Sequence, residues 1–304
     1  MSFFENMLSL QMMLFCLIIV GILSKKIGII NEIGRKSLSD LLINVILPCN
    51  IVHSFMGDTR ISGEFLQNCI LMISLSAAIQ LTAIYGSKLI FRKFPPNQKS
   101  VLSYGIICSN SSFIGLPIAE SLFGDLGVMY TSVFQIPIRF TMWTSGLSLF
   151  TSVNKRDAFR KLIKHPCIIS IFIGLIMMVR PLPLPFFLNN TILAVSKCTT
   201  PVSMFVIGSI LADAPVKSLF SKPVLYYTIL RLIAFPALVY IVLLPFQLGN
   251  IFLNICLLMT GMPAGSTASI LADKYGCDAA FASQLTFSST LFSILTIPLL
   301  TLLM

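Results

Sequence analysis

The fold is decided by one stretch, Gly105-Ile-Ile-Cys-Ser-Asn-Ser-Ser-Phe-Ile-Gly-Leu-Pro-Ile-Ala-Glu-Ser-Leu-Phe-Gly124. Its flanks are apolar enough to enter a bilayer, but its middle is polar from Ser109 to Ser112. Pro117 removes a backbone donor and clashes with the preceding turn, so a helix here must kink or break. Polar backbone at membrane depth survives only where it is buried in protein or lines a wet cavity. The stretch therefore predicts a broken membrane helix beside a cavity.

A second stretch with the same chemistry lies late in the chain, Leu257-Leu-Met-Thr-Gly-Met-Pro-Ala-Gly-Ser-Thr-Ala-Ser-Ile-Leu-Ala272. It combines Gly261, Pro263 and Gly265 with the hydroxyls of Ser266 and Thr267. Two interrupted apolar segments in corresponding places of two halves point to the binding site of a transporter. We therefore expect the two breaks to lie close together.

Composition places the chain in a membrane. Hydrophobic residues make up 56% of the 304 residues and charged residues 11%, whereas soluble domains carry about 25% charged residues. The net charge of +10 comes from short basic clusters between apolar runs, which indicates cytoplasmic loops and not a nucleic-acid-binding face. The eight cysteines form no CxxC pair and the two histidines lie far apart, so we expect no metal site, disulfide framework or cofactor.

Ten apolar runs approach the length of about 20 residues that a membrane-spanning helix needs. They cover residues 4–24, 37–57, 65–91, 101–123, 126–152, 163–180, 186–212, 223–245, 248–271 and 279–303. The first run follows no basic residue and precedes no A-x-A site, so we expect a retained span and not a cleaved signal. Connections after odd-numbered runs hold sixteen Lys and Arg residues, and those after even-numbered runs hold only Arg60 and Arg180. Basic loops stay cytoplasmic, so we expect a multi-pass protein of the cell membrane with both termini outside.

The polar segment from Ser152 to His165 divides the ten runs into two groups of five. Because five is odd, the second group enters the membrane from the opposite side, and similar halves would be inverted repeats. Both halves carry a proline in their second span, Pro48 and Pro201, and a break in their fourth. We predict an all-α polytopic membrane protein with ten transmembrane helices in two inverted five-helix repeats, 1–152 and 153–304.

Five groups of residues, taken in order and spacing, resemble the auxin efflux carrier family, which includes plant auxin exporters and bacterial malonate-type permeases. They are Asn44-Val-Ile-Leu-Pro48, Asn110-Ser-Ser-Phe-Ile-Gly-Leu-Pro117, Met204-Phe-Val-Ile-Gly208, Met262-Pro-Ala with Leu271-Ala-Asp-Lys-Tyr275, and Ser289-Thr-Leu-Phe-Ser293 with Pro298. The resemblance covers nearly the whole chain and implies that helices four and nine are broken and cross near the midplane. The long cytoplasmic loop of many plant members is missing, because residues 152–165 form only a short connection.

The resemblance also implies that the crossing binds the carboxylate of a substrate and that Asn110 matches the family's asparagine there. From the residues alone, two roles stay open for Asn110: it satisfies carbonyls freed by the break, or it donates to a ligand. Half-helix N-termini add free N–H groups and positive potential for an anion. The candidate substrate-binding residues are Asn110, Ser111, Ser112, Pro117, Pro263, Gly265, Ser266 and Arg139, and those expected to line the site are Asn44, Pro48, Pro201 and Ser289.

Arg139 lies thirteen residues into the fifth run, where an arginine costs at least about 2.5–3.5 kcal/mol on insertion scales. Two roles stay open for it: a bidentate clamp on the substrate carboxylate, or an ion pair with Glu120. Glu120 is the acid embedded in span four and the candidate for coupling transport to protons. Lys197 and Arg231 lie nearer the ends of their spans, so we expect them to snorkel to the surface.

The sequence thus predicts a secondary transporter that moves a small organic anion by alternating access, and not an enzyme. The substrate stays open between malonate, another carboxylate, an indole acid and an amino acid, as do the direction of transport and a homodimeric assembly. A cation/proton antiporter on a similar fold needs acids at the crossing, but neither 105–117 nor 257–267 contains Asp or Glu. A membrane enzyme needs an ionisable cluster, and direct ATP drive needs a GxxxxGK motif; the chain holds neither. A channel or a sensor stays an alternative.

Overall fold

The computed structural model describes residues 3–56, 63–151, 156–157, 160, 163–179, 184–212, 221–265 and 267–304. Secondary structure in these ranges is helical, and the one extended pairing is an antiparallel bridge between Ser109 and Ala264. The helices are α1 Phe3–Lys26, α2 Glu32–Phe55, α3 Gly63–Ile90, α4 Pro96–Ile107, α5 111–123, α6 125–149, α7 Pro166–Val179, α8 Phe186–Ser196, α9 Thr199–Ala212, α10 Lys222–Phe246, α11 Asn250–Thr260, α12 Thr267–Lys274 and α13 Ala279–Thr301.

Six stretches of the described residues are long and apolar enough to cross a membrane. They are Glu32–Phe55, Gly63–Ile90, Ser111–Leu149, Phe186–Ile210, Lys222–Phe246 and Ala279–Thr301, and α7 and α11 are shorter apolar helices. Their outer faces expose large apolar side chains such as Ile70, Phe172 and Ile241, each at 60% or more. Water disfavours such a surface and a bilayer requires it, because every backbone group of a lipid-facing helix is satisfied within the helix. The chain is therefore a polytopic, all-helical membrane protein.

Three prolines each follow a π-helical turn. The turns are Leu42–Ile46 before Pro48, Ser111–Gly115 before Pro117 and Leu230–Ala234 before Pro236. A proline ring clashes with the carbonyl four residues earlier, and the wider π turn moves that carbonyl away. Pro117 thus lies in the first regular turn of its helix and does not break it. The expectation of a break at Pro117 is corrected: the helix ends earlier, where the backbone of Cys108 is extended at φ −114° and ψ 98°.

Each broken stretch ends at a glycine that reverses the chain. Gly124 separates α5 from α6 with φ 60°, and Gly276 lies between α12 and α13 with φ 69°. Glycine adopts this left-handed conformation without the steric cost that a Cβ would bring. Asp278 then caps α13, because its Oδ1 accepts from the backbone N–H of Phe281 at 2.9 Å. The turn after span four and the turn after span nine therefore use the same device.

Helices α1 and α9 pack with their backbones in direct contact. A Cβ built on Gly21 would lie 2.7 Å from the carbonyl oxygen of Phe205, and a Cβ on Gly208 would overlap the carbonyl oxygen of Ile18. Small residues bring membrane helices this close because no side chain separates them. The pair α1–α9 therefore forms one closely packed unit of the fold.

Gly208→Ala should lower the melting temperature of the purified protein, because its methyl group would meet backbone that cannot rotate away. Such overpacking costs about 1–3 kcal/mol. Gly86→Ala in α3 is the matched control: nothing lies within 4 Å of its added Cβ, and alanine favours a helix over glycine. Thermal unfolding in detergent measures both. An equal response of the two variants would contradict the glycine contact.

Candidate functional site

The two broken stretches meet backbone to backbone. The N–H of Asn110 donates to the carbonyl of Pro263 at 2.8 Å, and the N–H of Gly265 donates to the carbonyl of Cys108 at 3.2 Å. These bonds flank the bridge between Ser109 and Ala264. Each break thus supplies the partners that the other lacks, as a break inside a membrane requires. The prediction that the two breaks lie close together is confirmed.

Two side chains from neighbouring segments hold the second break. The hydroxyl of Ser289 in α13 accepts from the N–H of Ala264 at 3.1 Å and donates to the carbonyl of Leu285 at 2.7 Å. The hydroxyl of Tyr104 in α4 donates to Oγ1 of Thr267, the first residue of α12, at 3.0 Å. Ser289, predicted to line the site, therefore contacts the backbone of the break itself.

Arg231 of α10 reaches both breaks. Its Nε donates to the carbonyl of Met262 at 2.8 Å and its Nη1 to the carbonyl of Ile106 at 3.0 Å. The residue is 2% exposed, so the expectation that it snorkels to the surface is wrong. Carbonyls at the C-terminal ends of α4 and α11 replace water as its acceptors, and a cation is favoured there by the helix dipoles. Lys197, in contrast, is exposed.

Asn110 occupies the N-cap position of α5, but its side chain makes no capping hydrogen bond. Only its backbone is engaged: besides the bond to Pro263, its carbonyl accepts from Ile114 N–H at 3.2 Å. In the described part of the chain its amide group has no hydrogen-bond partner, although the residue is only 6% exposed. Of the two roles considered for Asn110, the satisfaction of freed carbonyls is performed by Arg231 instead. The amide is left with its donors and acceptor unused.

Arg139 of α6 is bonded to three neutral side chains. Its Nη2 donates to Oε1 of Gln135 at 2.9 Å and to Oγ of Ser112 at 3.1 Å, and its Nη1 lies 3.0 Å from Nε2 of His165. A guanidinium group only donates, so His165 is an acceptor here and its ring is neutral. Ser112 in turn donates to Gln135 Oε1 at 3.0 Å. The structure therefore places a guanidinium, without a carboxylate partner among the described residues, beside the first turn of α5.

The ion pair between Arg139 and Glu120 is not formed. Glu120 Oε2 instead accepts from Nδ2 of Asn50 at 2.9 Å, and the same Nδ2 lies 2.9 Å from Oγ1 of Thr199. Asn50 follows Pro48 by two residues and Thr199 precedes Pro201 by two. The two proline regions of α2 and α9 thus meet beside α5, and Glu120 is hydrogen-bonded to that junction.

The remaining candidates divide between the breaks and other places. Pro263 and Gly265 form the second break, and the carbonyl of Ser111 accepts from Nε2 of Gln135 at 3.3 Å. Asn44 is exposed and donates to the carbonyl of Asp40 within α2 at 2.8 Å, so it does not join the breaks. Ser266 lies outside the described residues. Sequence reasoning missed Asn50, Gln135, His165 and Thr199, although each is a polar residue within or beside an apolar run.

A cavity of about 280 Å³ lies beside α5. Its walls include Ile114 and Ile118 of α5, Met204 and Ile207 of α9, and Thr290 and Ser293 of α13. The hydroxyls of Thr290 and Ser293 donate to carbonyls of their own helix at 2.7 Å each, so the cavity is almost wholly apolar. It separates the α1–α9 unit from the helices that build the breaks. The described residues hold no group of three His, Cys, Asp or Glu placed to bind a metal ion.

Comparison with known proteins agrees with this geometry. An uncharacterised transporter of Methanocaldococcus jannaschii is 23% identical over 291 residues, which cover 93% of this chain and 94% of the relative. An uncharacterised transporter of Methanothermobacter thermautotrophicus is 24% identical over 301 residues, or 93% of each chain. A family model described as membrane transport protein matches residues 7–159 and 155–301. The chain therefore belongs to the membrane transport protein family, the auxin efflux carrier family that its motifs resemble.

Proposed function

We propose that this transporter is secondary-active and carries a small organic anion across the cell membrane by alternating access. The observation that carries the proposal is the side-chain amide of Asn110, buried without a partner at the N-terminal end of α5. The first N–H groups of a helix have no intrahelical acceptor. Together with the amide they form a cluster of donors whose positive potential favours a carboxylate.

The charge of Arg139 supports an anion as the ligand. Its guanidinium bonds to Ser112, two residues after Asn110, and its partners Gln135 and His165 are neutral. A buried cation without a paired anion is costly, and an anionic substrate lowers that cost when it binds. The substrate class we propose is therefore a small carboxylate, with its apolar part in the cavity lined by Ile114 and Ile118.

Alternating access is supported by where the cavity lies. The α1–α9 unit forms one wall, and α5 and α13, which carry or contact the breaks, form the other. We propose that α3–α6 and α10–α13 move as one body against a scaffold of α1, α2, α7, α8 and α9. Movement across this apolar boundary breaks few hydrogen bonds, because the described walls have little polar surface.

The proposed topology has ten spans in two inverted repeats, 1–152 and 153–304, with both termini outside. The broken spans four and nine are α4 with α5 and α11 with α12, and α8 with α9 is the seventh. The paired reversals at Gly124 and Gly276 support this arrangement. In a cysteine-free background, a cysteine at Met304 should react with a membrane-impermeant maleimide in intact cells, and one at Lys26 should react only after permeabilisation. The reverse pattern would overturn the proposed orientation.

Asn110→Ala should abolish saturable uptake into proteoliposomes without lowering the melting temperature. The substitution removes the proposed substrate donor, and it also removes a buried amide that has no partner and whose desolvation costs about 1–3 kcal/mol. Asn44→Ala, at an exposed asparagine of α2, is the control and should transport normally.

Two outcomes would contradict this role of Asn110. Uptake with unchanged apparent affinity would place the substrate elsewhere, and a melting temperature several degrees lower would make the amide structural. The substrate for the assay comes from a thermal-shift screen of wild type against malonate, other carboxylates, indole acids and amino acids. Uptake that never saturates with concentration would favour a channel.

Arg139→Gln should weaken substrate binding while the protein stays folded, because the substituted amide keeps a donor near Ser112 but carries no charge. The ligand concentration that gives half of the maximal thermal shift measures the affinity. Glu120→Gln should not restore binding to Arg139→Gln, since the two residues are not paired in the structure. Equal affinity in wild type and Arg139→Gln would exclude the clamp.

For Glu120 we propose the binding of the coupling proton. Its carboxylate is hydrogen-bonded through Asn50 to α2 and α9 of the scaffold, while Glu120 itself belongs to α5. Protonation therefore changes a bond across the boundary that must slide. Glu120→Gln should bind substrate as wild type does but lose the acceleration of uptake by a pH gradient, and retained acceleration would exclude this role.

A further inference from the structure

Arg231 lies where the C-terminal ends of two half-helices converge. Ile106 is in the last turn of α4 and Met262 follows the end of α11, and their carbonyls accept from the same guanidinium. Helix C-termini carry partial negative charge, and unwound carbonyls at broken helices bind cations in transporters. Two such ends brought together form a seat for one positive charge.

We propose that Arg231 is the resident cation of this seat, so that the protein needs no bound metal cation to hold its two breaks together. A guanidinium suits the position because it is always charged and its donors are held in a rigid fork. Nε and Nη1 each take a carbonyl from a different broken helix, which a point charge on a flexible stem cannot reproduce with the same geometry. The proposal rests on the proposed function only in treating the breaks as the substrate site.

The surroundings of the guanidinium keep the seat dry. The ring of Phe235 lies 5.5 Å from its Cζ, within reach of a cation–π contact. One turn earlier on α10, Tyr227 is fully buried against α4, and the absence of a side chain at Gly105 makes room for its hydroxyl. With water excluded, the bonds from Arg231 to the two carbonyls are stronger than they would be at a surface.

Arg231 therefore acts as a positioning residue for Asn110. The guanidinium fixes Met262, whose neighbour Pro263 accepts the backbone bond from Asn110. It also fixes Ile106, four residues before Asn110, at the other side of the break. Without a charge in the seat, the two negative helix ends repel each other and the donors at Asn110 lose their alignment.

The experiment measures melting temperature in detergent, without substrate, for wild type, Arg231→Ala and Arg231→Gln. Each is measured in choline chloride, in sodium chloride of equal ionic strength, and with millimolar guanidinium chloride added. Wild type should melt at the same temperature in all three. Both variants should melt several degrees lower in choline and regain a large part of the loss with sodium or guanidinium, because an added cation fills the seat.

Arg139→Ala is the matched control, because it removes a buried arginine that is bonded to side chains and not to helix ends; its melting temperature should not respond to cations. A loss in the Arg231 variants that no cation restores would overturn the proposal, as would a variant as stable as wild type in choline. Sodium stabilisation of wild type would also overturn it. If Arg231→Ala yields no folded protein, Arg231→Gln, which keeps one donor, decides. Because no substrate is present, these results stand whether or not the chain carries an anion.

Discussion

The structure depends on how two interruptions of the helical backbone are satisfied where water is absent. A membrane segment that leaves its helix exposes N–H and C=O groups, each costing several kcal/mol without a partner. Here the interruptions exchange bonds with each other, Asn110 to Pro263 and Gly265 to Cys108. Ser289 and Arg231 satisfy further groups that this exchange leaves. The polar side chains in these spans therefore have a structural cause before they have a functional one.

The satisfaction is uneven, and the unevenness creates the site. The C-terminal ends of α4 and α11 are closed by Arg231, but the N-cap of α5 is not closed by its own side chain. Asparagine is among the residues that cap helices best, so an idle asparagine at an N-cap gives up stability that its neighbours do not recover. Preorganised donors of this kind bind a ligand without first breaking internal hydrogen bonds.

The sequence predicted the breaks and their meeting, because glycine, proline and hydroxyl residues clustered inside an apolar run disfavour a continuous helix and leave polar groups that need partners. It placed the first break at Pro117, since a proline rule that assumes α geometry does not foresee the π turn of Ser111–Gly115. It sent Arg231 to the surface, because distance along a span says nothing about acceptors on other helices. Arg139 and Glu120 looked like partners for the same reason: spacing along the chain does not tell which faces of α5 and α6 meet.

The guanidinium of Arg231 has a consequence for the energetics of a carrier. It is bonded to both breaks, so any motion that shifts them relative to the bilayer also shifts a fixed elementary charge through the transmembrane electric field. Full traversal of the field is worth about 2.3 kcal/mol per unit charge at 100 mV. A bound monoanion lowers the displaced charge by one unit. Voltage therefore acts differently on the loaded and the empty carrier, and the membrane potential biases which of the two crosses more readily.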